Sequence, residues 1–329
     1  MKHFLSFILL TLLLACNSNQ NKENTSKDYE VNTLRSDTTY LFNAKPDKGF
    51  NFDYYLYIPK GIDVNKDNIL LIESTNTGVS DSIEHHRKRA EYAASKSSVG
   101  NYVSNKLNIP LLVPIFPRPE TNWQMYTHAF DSETFIEKGT QLERLDLQLI
   151  SMFEDARSQL NQKGLNTEEQ FFLTGFSASG TFANRFSILH PEKIKAVCAG
   201  GVNSILILPM EEHNGEPLNF PIGIGDVETI TGKEVNLYSF RNLPQFWFMG
   251  ENDNNDAAKF DDGYNPIERK QVYEILGEQM MPQRWEKVQQ IYQDHEIPAS
   301  FKTYTAIGHG TDLRINNEIS AFFERYLIK

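Results

Sequence analysis

Short apolar runs alternate with amphipathic stretches along most of this chain, and that alternation limits the folds open to it. The runs at 69–72, 111–116 and 171–174 are largely apolar, which is typical of strands covered on both faces. Between two of them, residues 137–162 repeat apolar side chains at helical spacing. Strands separated by helices predict an α/β fold with a mostly parallel, twisted central sheet and helices on both faces.

The same patterns place the remaining elements. Strands are predicted at 52–59, 194–199, 245–249 and 300–306, and helices at 82–107, 178–190, 266–294 (two helices) and 315–327. The region from about 203 to 243 is rich in Gly, Pro and acidic residues and interrupts the alternation. It is too long for a plain connection, so we expect an inserted region near the functional site.

Composition excludes several classes of protein. With 40% hydrophobic and 12% aromatic residues, the 329-residue chain can form a large buried core. A formal net charge of −11 disfavours a phosphate-binding surface, so no nucleic-acid partner is expected. The sequence contains no phosphate loop, dinucleotide fingerprint or Cys-rich zinc motif, so we expect neither a cofactor nor a metal.

The N-terminus has the pattern of an export signal. A basic start at residues 1–3 precedes a nearly uninterrupted apolar run from Phe4 to Leu14, which is too short to span a bilayer comfortably. The run ends in Leu-Leu-Ala-Cys16 and resembles a bacterial lipoprotein signal, in which the cysteine receives lipid. Leu14 departs from that pattern, where a smaller residue is more common. The alternative is an ordinary secretory signal with an incidental cysteine.

These features predict three segments. Residues 1–15 are a signal peptide, residues 16–38 a polar tether with lipidated Cys16, and residues 39–329 the globular domain. A flexible tether of this length reaches ~25 Å from a membrane surface. We expect an exported protein held by lipid at a bacterial membrane, in the periplasm or on the outer surface. The second cysteine, Cys198, lies in a predicted buried strand and is expected to be a core thiol.

The junction between the strand at 171–174 and the next helix contains a sequence pattern that indicates a nucleophilic serine. It reads Thr-Gly175-Phe-Ser177-Ala-Ser179-Gly, which matches the first half of the nucleophile elbow G-x-S-x-G. Such a serine sits on a sharp turn, so its neighbours two positions away must be small. Gly175 and Ser179 satisfy this requirement, although the second is usually glycine. The alternative is a serine that merely caps the helix.

With this junction, residues 40–329 resemble the α/β-hydrolase superfamily, and the closest likeness is to secreted esterases of the feruloyl-esterase and polyhydroxybutyrate-depolymerase type. The resemblance implies the order Ser, acid, His along the chain. The acid position after the strand at 245–249 falls on Asp253, with Asp256 as the rival. The base position falls on His309, which stands between two glycines after the last predicted strand.

The resemblance also implies roles for these residues. His309 would take the proton of Ser177, and Asp253 would hold the imidazole tautomer. The backbone N–H of Ala178 would form one half of an oxyanion hole. The second donor is expected after the strand at 69–72, on Thr75 or Asn76.

Other signals leave alternatives open. Trp123 and Tyr126 line a substrate pocket or simply pack. His85 and His86 lie in a charged helical stretch and are expected to be solvated. The aspartates between 253 and 262 lack the EF-hand pattern, so a solvated loop is favoured over a Ca²⁺ site.

Three functions remain possible from the sequence. The leading one is a carboxylesterase of the cell envelope that acts on a small-molecule or polymer ester through a Ser-His-Asp triad and an acyl-enzyme. A serine peptidase of the same fold would share the triad. An inactive surface lipoprotein that binds glycan or polymer is the alternative from a different class.

Overall fold

The structure, a computed structural model, describes residues 36–327. The predicted signal peptide, Cys16 and nearly all of the tether lie outside these residues. The first strand, β1, is Thr38–Phe42 and begins at the last residue of the predicted tether. Its β-branched and aromatic residues favour a strand, and it pairs antiparallel with the strand at 54–58.

Eight strands form the central sheet in the order β1–β2–β4–β3–β5–β6–β9–β10. The pairs β1–β2 and β2–β4 are antiparallel, and the other five pairs are parallel, which confirms the predicted mostly parallel sheet. A separate two-stranded hairpin contains β7 and β8. The remaining strands are β2 (Tyr54–Ile58), β3 (Leu71–Glu73), β4 (Leu111–Pro114), β5 (Phe171–Phe176), β6 (Ile194–Gly200), β7 (Glu212–His213), β8 (Glu216–Pro217), β9 (Gln245–Gly250) and β10 (Ser300–Tyr304).

Helices connect most of these strands. They are α1 (Ile83–Ser95), α2 (Val99–Leu107), α3 (Ser132–Ile136), α4 (Leu145–Gln162), α5 (Ala178–Leu189), α6 (Val227–Thr231), α7 (Leu237–Asn242), α8 (Pro266–Leu276), α9 (Trp285–Asp294) and α10 (Leu313–Glu324). Between residues 36 and 327, every helix is too short or too polar to cross a bilayer.

Two predicted helices differ from the structure. The helix predicted at 137–162 begins only at Leu145, because Gly139 and Arg144 have positive φ angles of 75° and 51° that break the helical path. The stretch 82–107 forms two helices rather than one. The second starts at its own N-cap, Ser98, whose hydroxyl accepts a hydrogen bond from the Asn101 N–H at 2.9 Å.

The core consists of one apolar layer on each face of the sheet. Alternate residues of β5 serve the two layers: Phe171 and Leu173 pack on the side of α4 and α5, while Phe172 packs against Phe323 of α10. Helices therefore cover both faces, as predicted. Cys198 of β6 lies in the second layer with no exposed surface, which confirms it as a core thiol.

The inserted region is more ordered than its composition indicates. It contains the β7–β8 hairpin, α6 and α7, and its apolar residues 205–208 are buried. The Ile207 N–H donates to the side-chain oxygen of Asn184 on α5 at 2.7 Å. This hydrogen bond anchors the start of the insertion to the helix that follows Ser177.

Candidate active site

Ser177 lies at the end of β5, where the parallel strands direct their following loops to one edge of the sheet. Its backbone has φ 64° and ψ −130°, a strained conformation for a residue with a side chain. Two backbone hydrogen bonds of 3.0 Å hold it there, from the Ser177 N–H to the Gly200 carbonyl and from the Thr181 N–H to the Ser177 carbonyl. The turn thus presents the Ser177 hydroxyl at the sheet edge.

Ser179, which stands where the elbow pattern has glycine, is part of the turn's own bonding. Its hydroxyl donates to the Phe176 carbonyl and accepts from the Phe176 N–H, both at 2.9 Å. The crowded position is Gly180 instead, where a Cβ would lie 2.5 Å from the Gly200 carbonyl oxygen. A serine is therefore compatible with the elbow because the glycine requirement falls one residue later.

The structure brings Ser177, His309 and Asp253 into one hydrogen-bonded chain. His309 Nε2 lies 2.9 Å from Ser177 Oγ, and His309 Nδ1 lies 2.9 and 3.0 Å from the two oxygens of Asp253. Asp253 is buried, and the Phe176 ring packs on the imidazole with 4.9 Å between centroids. With its Nδ1 proton directed to the carboxylate, the neutral imidazole offers an Nε2 lone pair to the serine hydroxyl.

The rival acid, Asp256, has a different environment. Its carboxylate lies 2.5 Å from Nη2 of Arg284, a fully buried guanidinium, and accepts a hydrogen bond from the Ala258 N–H at 3.2 Å. Asp256 is therefore part of a buried ion pair. No hydrogen bond among the described residues joins it to His309.

The other two aspartates of this segment are also paired with cations. Asp261 lies 2.5 Å from Arg269, and Asp262 lies 2.7 Å from Arg118. Within residues 36–327, no group of three or more His, Cys, Asp or Glu side chains is arranged to hold a metal ion. The acidic segment thus makes separate ion pairs rather than one cluster.

The predicted oxyanion donors lie on two neighbouring segments. Ala178 is the buried first residue of α5, and Thr75 follows β3, the parallel neighbour of β5. The pairing of Glu73 with Thr174 sets the loop after β3 beside the elbow. Asn76 joins the two directly, since its side-chain amide donates to the Phe176 carbonyl at 3.1 Å.

A buried histidine that the sequence did not single out as functional supports this loop. His128 Nε2 lies 3.2 Å from Thr75 Oγ1 and 2.8 Å from the Phe116 carbonyl oxygen, and its Nδ1 accepts from the Thr77 N–H at 3.2 Å. Burial lowers the pKa of His128 to about 3, so the ring is neutral at ordinary pH. His128 thereby fixes the loop through uncharged hydrogen bonds.

The prediction that His86 is solvated is wrong. Its ring is fully buried, with Nδ1 3.2 Å from Thr77 Oγ1 and Nε2 2.9 Å from the Ser80 carbonyl oxygen. His86, Ala90 and Ala94 form the buried stripe of α1, and this spacing of four was the available signal. His85, by contrast, is exposed as predicted.

A cavity of about 550 Å³ lies next to Asn255, which contacts Ser177. Both predicted pocket residues line it: Trp123 is 46% exposed, and Tyr126 lies under the Arg118 guanidinium, 3.5 Å from its ring centroid. Asn255 links the cavity to the serine, because its side chain lies within 3.3 Å of Ser177 Oγ. The lining residues are Arg118, Trp123, Tyr126, Asn203, Asn255, Ala257, Phe260, Asp261 and Asp262.

Known proteins resemble this chain in structure rather than in sequence. No protein-family model and no curated protein sequence matches it. A poly(aspartic acid) hydrolase from Sphingomonas sp. KT-1 superposes with a TM-score of 0.50 at 15% identity, over 88% of this chain and 97% of that chain. A poly(3-hydroxybutyrate) depolymerase from Bordetella parapertussis gives a TM-score of 0.51 at 15% identity, over 89% and 90%. Together with the strand order, these similarities show the α/β-hydrolase fold and confirm that prediction.

Proposed function

We propose that this chain is a serine hydrolase that cleaves carboxylic esters through an acyl-enzyme on Ser177. The observation that carries the proposal is the hydrogen-bonded chain from Ser177 Oγ through His309 to Asp253, with 2.9 Å separations at both ends of the imidazole. A serine that only capped α5 would need no such partner, and in fact Ser177 makes no capping hydrogen bond with its side chain.

The proposed reaction has two acyl-transfer steps. His309 Nε2 takes the hydroxyl proton while Ser177 Oγ attacks the ester carbonyl carbon, and Asp253 stabilises the imidazolium. The backbone N–H groups of Ala178 and of Thr75 or Asn76 donate to the oxyanion. Collapse of the tetrahedral intermediate breaks the ester C–O bond, and His309 protonates the departing alcohol. Water, deprotonated by His309, then attacks the acyl carbon, the bond to Ser177 Oγ breaks, and His309 returns the proton to Oγ as the carboxylic acid leaves.

A fluorophosphonate probe and a panel of esters test this function. We expect the wild-type protein to be labelled and to hydrolyse short acyl esters. Ser177→Ala should abolish labelling and lower ester turnover by roughly a thousandfold or more. Ser187→Ala is the matched control, because Ser187 lies on the same helix and its buried hydroxyl donates to the Asn184 carbonyl, away from Ser177 and His309.

Each alternative has its own outcome in this test. Labelling with turnover of peptides but not of esters would replace the esterase with a peptidase. Folded wild-type protein that is neither labelled nor active would instead support a binding protein without catalysis.

We also propose that Cys16 carries lipid and holds the enzyme at the bacterial cell envelope. The proposal is supported by the basic start, the apolar run and the small residue before Cys16. We expect mass spectrometry of the mature protein to find a lipid-modified N-terminal peptide that starts at Cys16. Cys16→Ser should move the protein from the membrane fraction to the soluble fraction. An unmodified peptide that retains residues 1–15 would contradict the proposal.

A further inference from the structure

Asn255 places its side-chain amide against both reacting atoms of the candidate site. Its Nδ2 lies 3.3 Å from Ser177 Oγ and 3.0 Å from His309 Nε2, and those two atoms are 2.9 Å apart. The three atoms thus form a nearly equilateral triangle. The backbone of the same residue donates to Asp253 Oδ1 at 3.0 Å, so Asn255 contacts all three members of the hydrogen-bonded chain.

The protonation of the imidazole determines which end of the amide faces it. Nδ1 directs its proton to Asp253, so Nε2 of the neutral ring is an acceptor. An amide oxygen at that place would oppose one lone pair with another, whereas an amide nitrogen offers two hydrogens. One of them can point toward Ser177 Oγ, whose own proton is directed to the Nε2 lone pair, so the positive end of the amide lies beside the ring.

We propose that Asn255 is a further catalytic residue, which donates a hydrogen bond to the serine oxygen and places the positive end of its amide beside the neutral imidazole; this inference rests on the proposed serine-hydrolase function. As the proton of Ser177 moves to His309, negative charge develops on Oγ, and a donor at that atom strengthens with the charge. The positive end of the amide beside Nε2 favours the unprotonated ring from which the reaction starts. Asn255 also lines the cavity, where bound substrate would shield it from water.

The first test compares Asn255→Ala with Asn254→Ala. Asn254 is the adjacent amide on the same loop, is exposed as Asn255 is, and serves as the matched control. Loss of a hydrogen bond to a developing charge corresponds to a fall of roughly ten- to a hundredfold in kcat/KM. We expect that fall for Asn255→Ala, measured on a short acyl ester, and less than a twofold change for the control.

The second test adds a charge at position 255, and one of its two readouts, an NMR titration, does not depend on turnover. Asn255→Asp places a carboxylate beside Nε2, which favours the imidazolium, so deprotonation of His309 should need a higher pH. We expect the acidic limb of the kcat/KM profile, and the NMR titration of the His309 imidazole, to move up by about one pH unit or more. Asn254→Asp adds the same charge to the exposed neighbour and should leave both in place. A side chain at position 255 that is directed away from the ring in solution would leave the titration unmoved.

The surroundings of His309 make this titration simple to interpret. Asp253 is the charged group in contact with the ring, and Phe176 packs on its face. Two nearby carboxylates are engaged elsewhere: Glu251 accepts from the Ala306 N–H at 3.0 Å, and Asp312 caps α10 through the Ile315 N–H at 2.8 Å.

The outcomes separate this inference from the function on which it rests. Wild-type protein that neither reacts with the probe nor hydrolyses esters would refute the proposed function, and the NMR titration would still decide whether the side chain at position 255 faces His309. An active wild type with Asn255→Ala within twofold of its control, or an unmoved titration in Asn255→Asp, would overturn the role of Asn255 alone.

Discussion

Asp253 and Asp256 lie three residues apart on the loop after β9, and their partners differ completely. Asp253 contacts an imidazole that is 25% exposed, whereas Asp256 contacts the fully buried guanidinium of Arg284. The first pair is suited to orienting a base, and the second compensates a charge in the core. Both carboxylates are buried, so burial alone would not distinguish them.

Exchanging each aspartate for asparagine should separate chemistry from stability. We expect Asp253→Asn to lower kcat by roughly a thousandfold or more and to change the unfolding free energy little. Asp256→Asn removes the carboxylate from a buried cation, so its free energy of unfolding should fall by about 3–5 kcal/mol. Urea unfolding, with kcat normalised by probe titration, measures both. Loss of kcat in titrated Asp256→Asn protein together with full kcat in Asp253→Asn would reverse the assignment.

Sequence reasoning left the choice between these aspartates open for a physical reason. Both belong to a turn rich in Asp and Asn, and the pattern of such a turn does not say which side chain points toward which neighbour. Arg284 lies 28 residues from Asp256 along the chain, and a contact at that distance leaves no local signal. Asn255 was missed for the same reason, because a loop asparagine has no recognisable pattern of its own.

At the scale of the elements, β3 and α2 are joined through a buried carboxyl group. The Gly100 N–H, in the first turn of α2, donates to Glu73 Oε2 at 2.9 Å. Burial nevertheless raises the pKa of Glu73 to about 7, and it outweighs the lowering effect of the hydrogen bonds from Ser98 and Gly100. Glu73 also borders a cavity of about 410 Å³ that is lined in part by the loop 74–77.

This carboxyl group should make stability depend on pH. The folded protein binds the Glu73 proton more tightly than the unfolded chain does, so its contribution is complete below pH 4.5 and is lost as pH rises to about 7. Glu73→Gln lacks that loss and should be more stable than wild type at pH 8, by up to about 3 kcal/mol, with the difference vanishing near pH 4.5. Urea unfolding at the two pH values measures it.

The control for this prediction is Glu91→Gln, because Glu91 is exposed on α1. Its side chain is in water in the folded and in the unfolded chain, so this variant should show the same pH dependence of stability as wild type. The same stability difference in both variants, or a Glu73→Gln difference that is constant between pH 4.5 and 8, would contradict the prediction.

Periodicity predicted most elements but not their breaks. The apolar spacing within 145–162 is genuine, yet the residues before it satisfy the same spacing by chance while Gly139 and Arg144 adopt left-handed backbone angles. For His86 the helical spacing was the correct guide, and the prediction did not follow it. Charged neighbours suggested a solvated side chain, although its position on the buried stripe of α1 decided its burial.

At the scale of the whole molecule, the sequence predicted the class of sheet but not its strand order. Alternation of strands and helices implies parallel neighbours, and five of the seven pairs in the central sheet are parallel. The placement of β4 between β2 and β3 depends on pairing between distant segments. The local pattern of the strand–helix junction pointed to Ser177 as a candidate, and the order implied by the resemblance to a superfamily pointed to Asp253 and His309.

The buried thiol of β6 has a practical consequence for following this protein in solution. Cys198 has no exposed surface, and burial raises the pKa of its thiol well above the ordinary value. Since the thiolate is the nucleophile that attacks an alkylating dye, this sulfur should stay unlabelled in the native state. In a chain whose Cys16 is replaced, a cysteine introduced at Phe260 on the cavity rim would then be the one position to accept a fluorophore, and ligand entry could be observed optically.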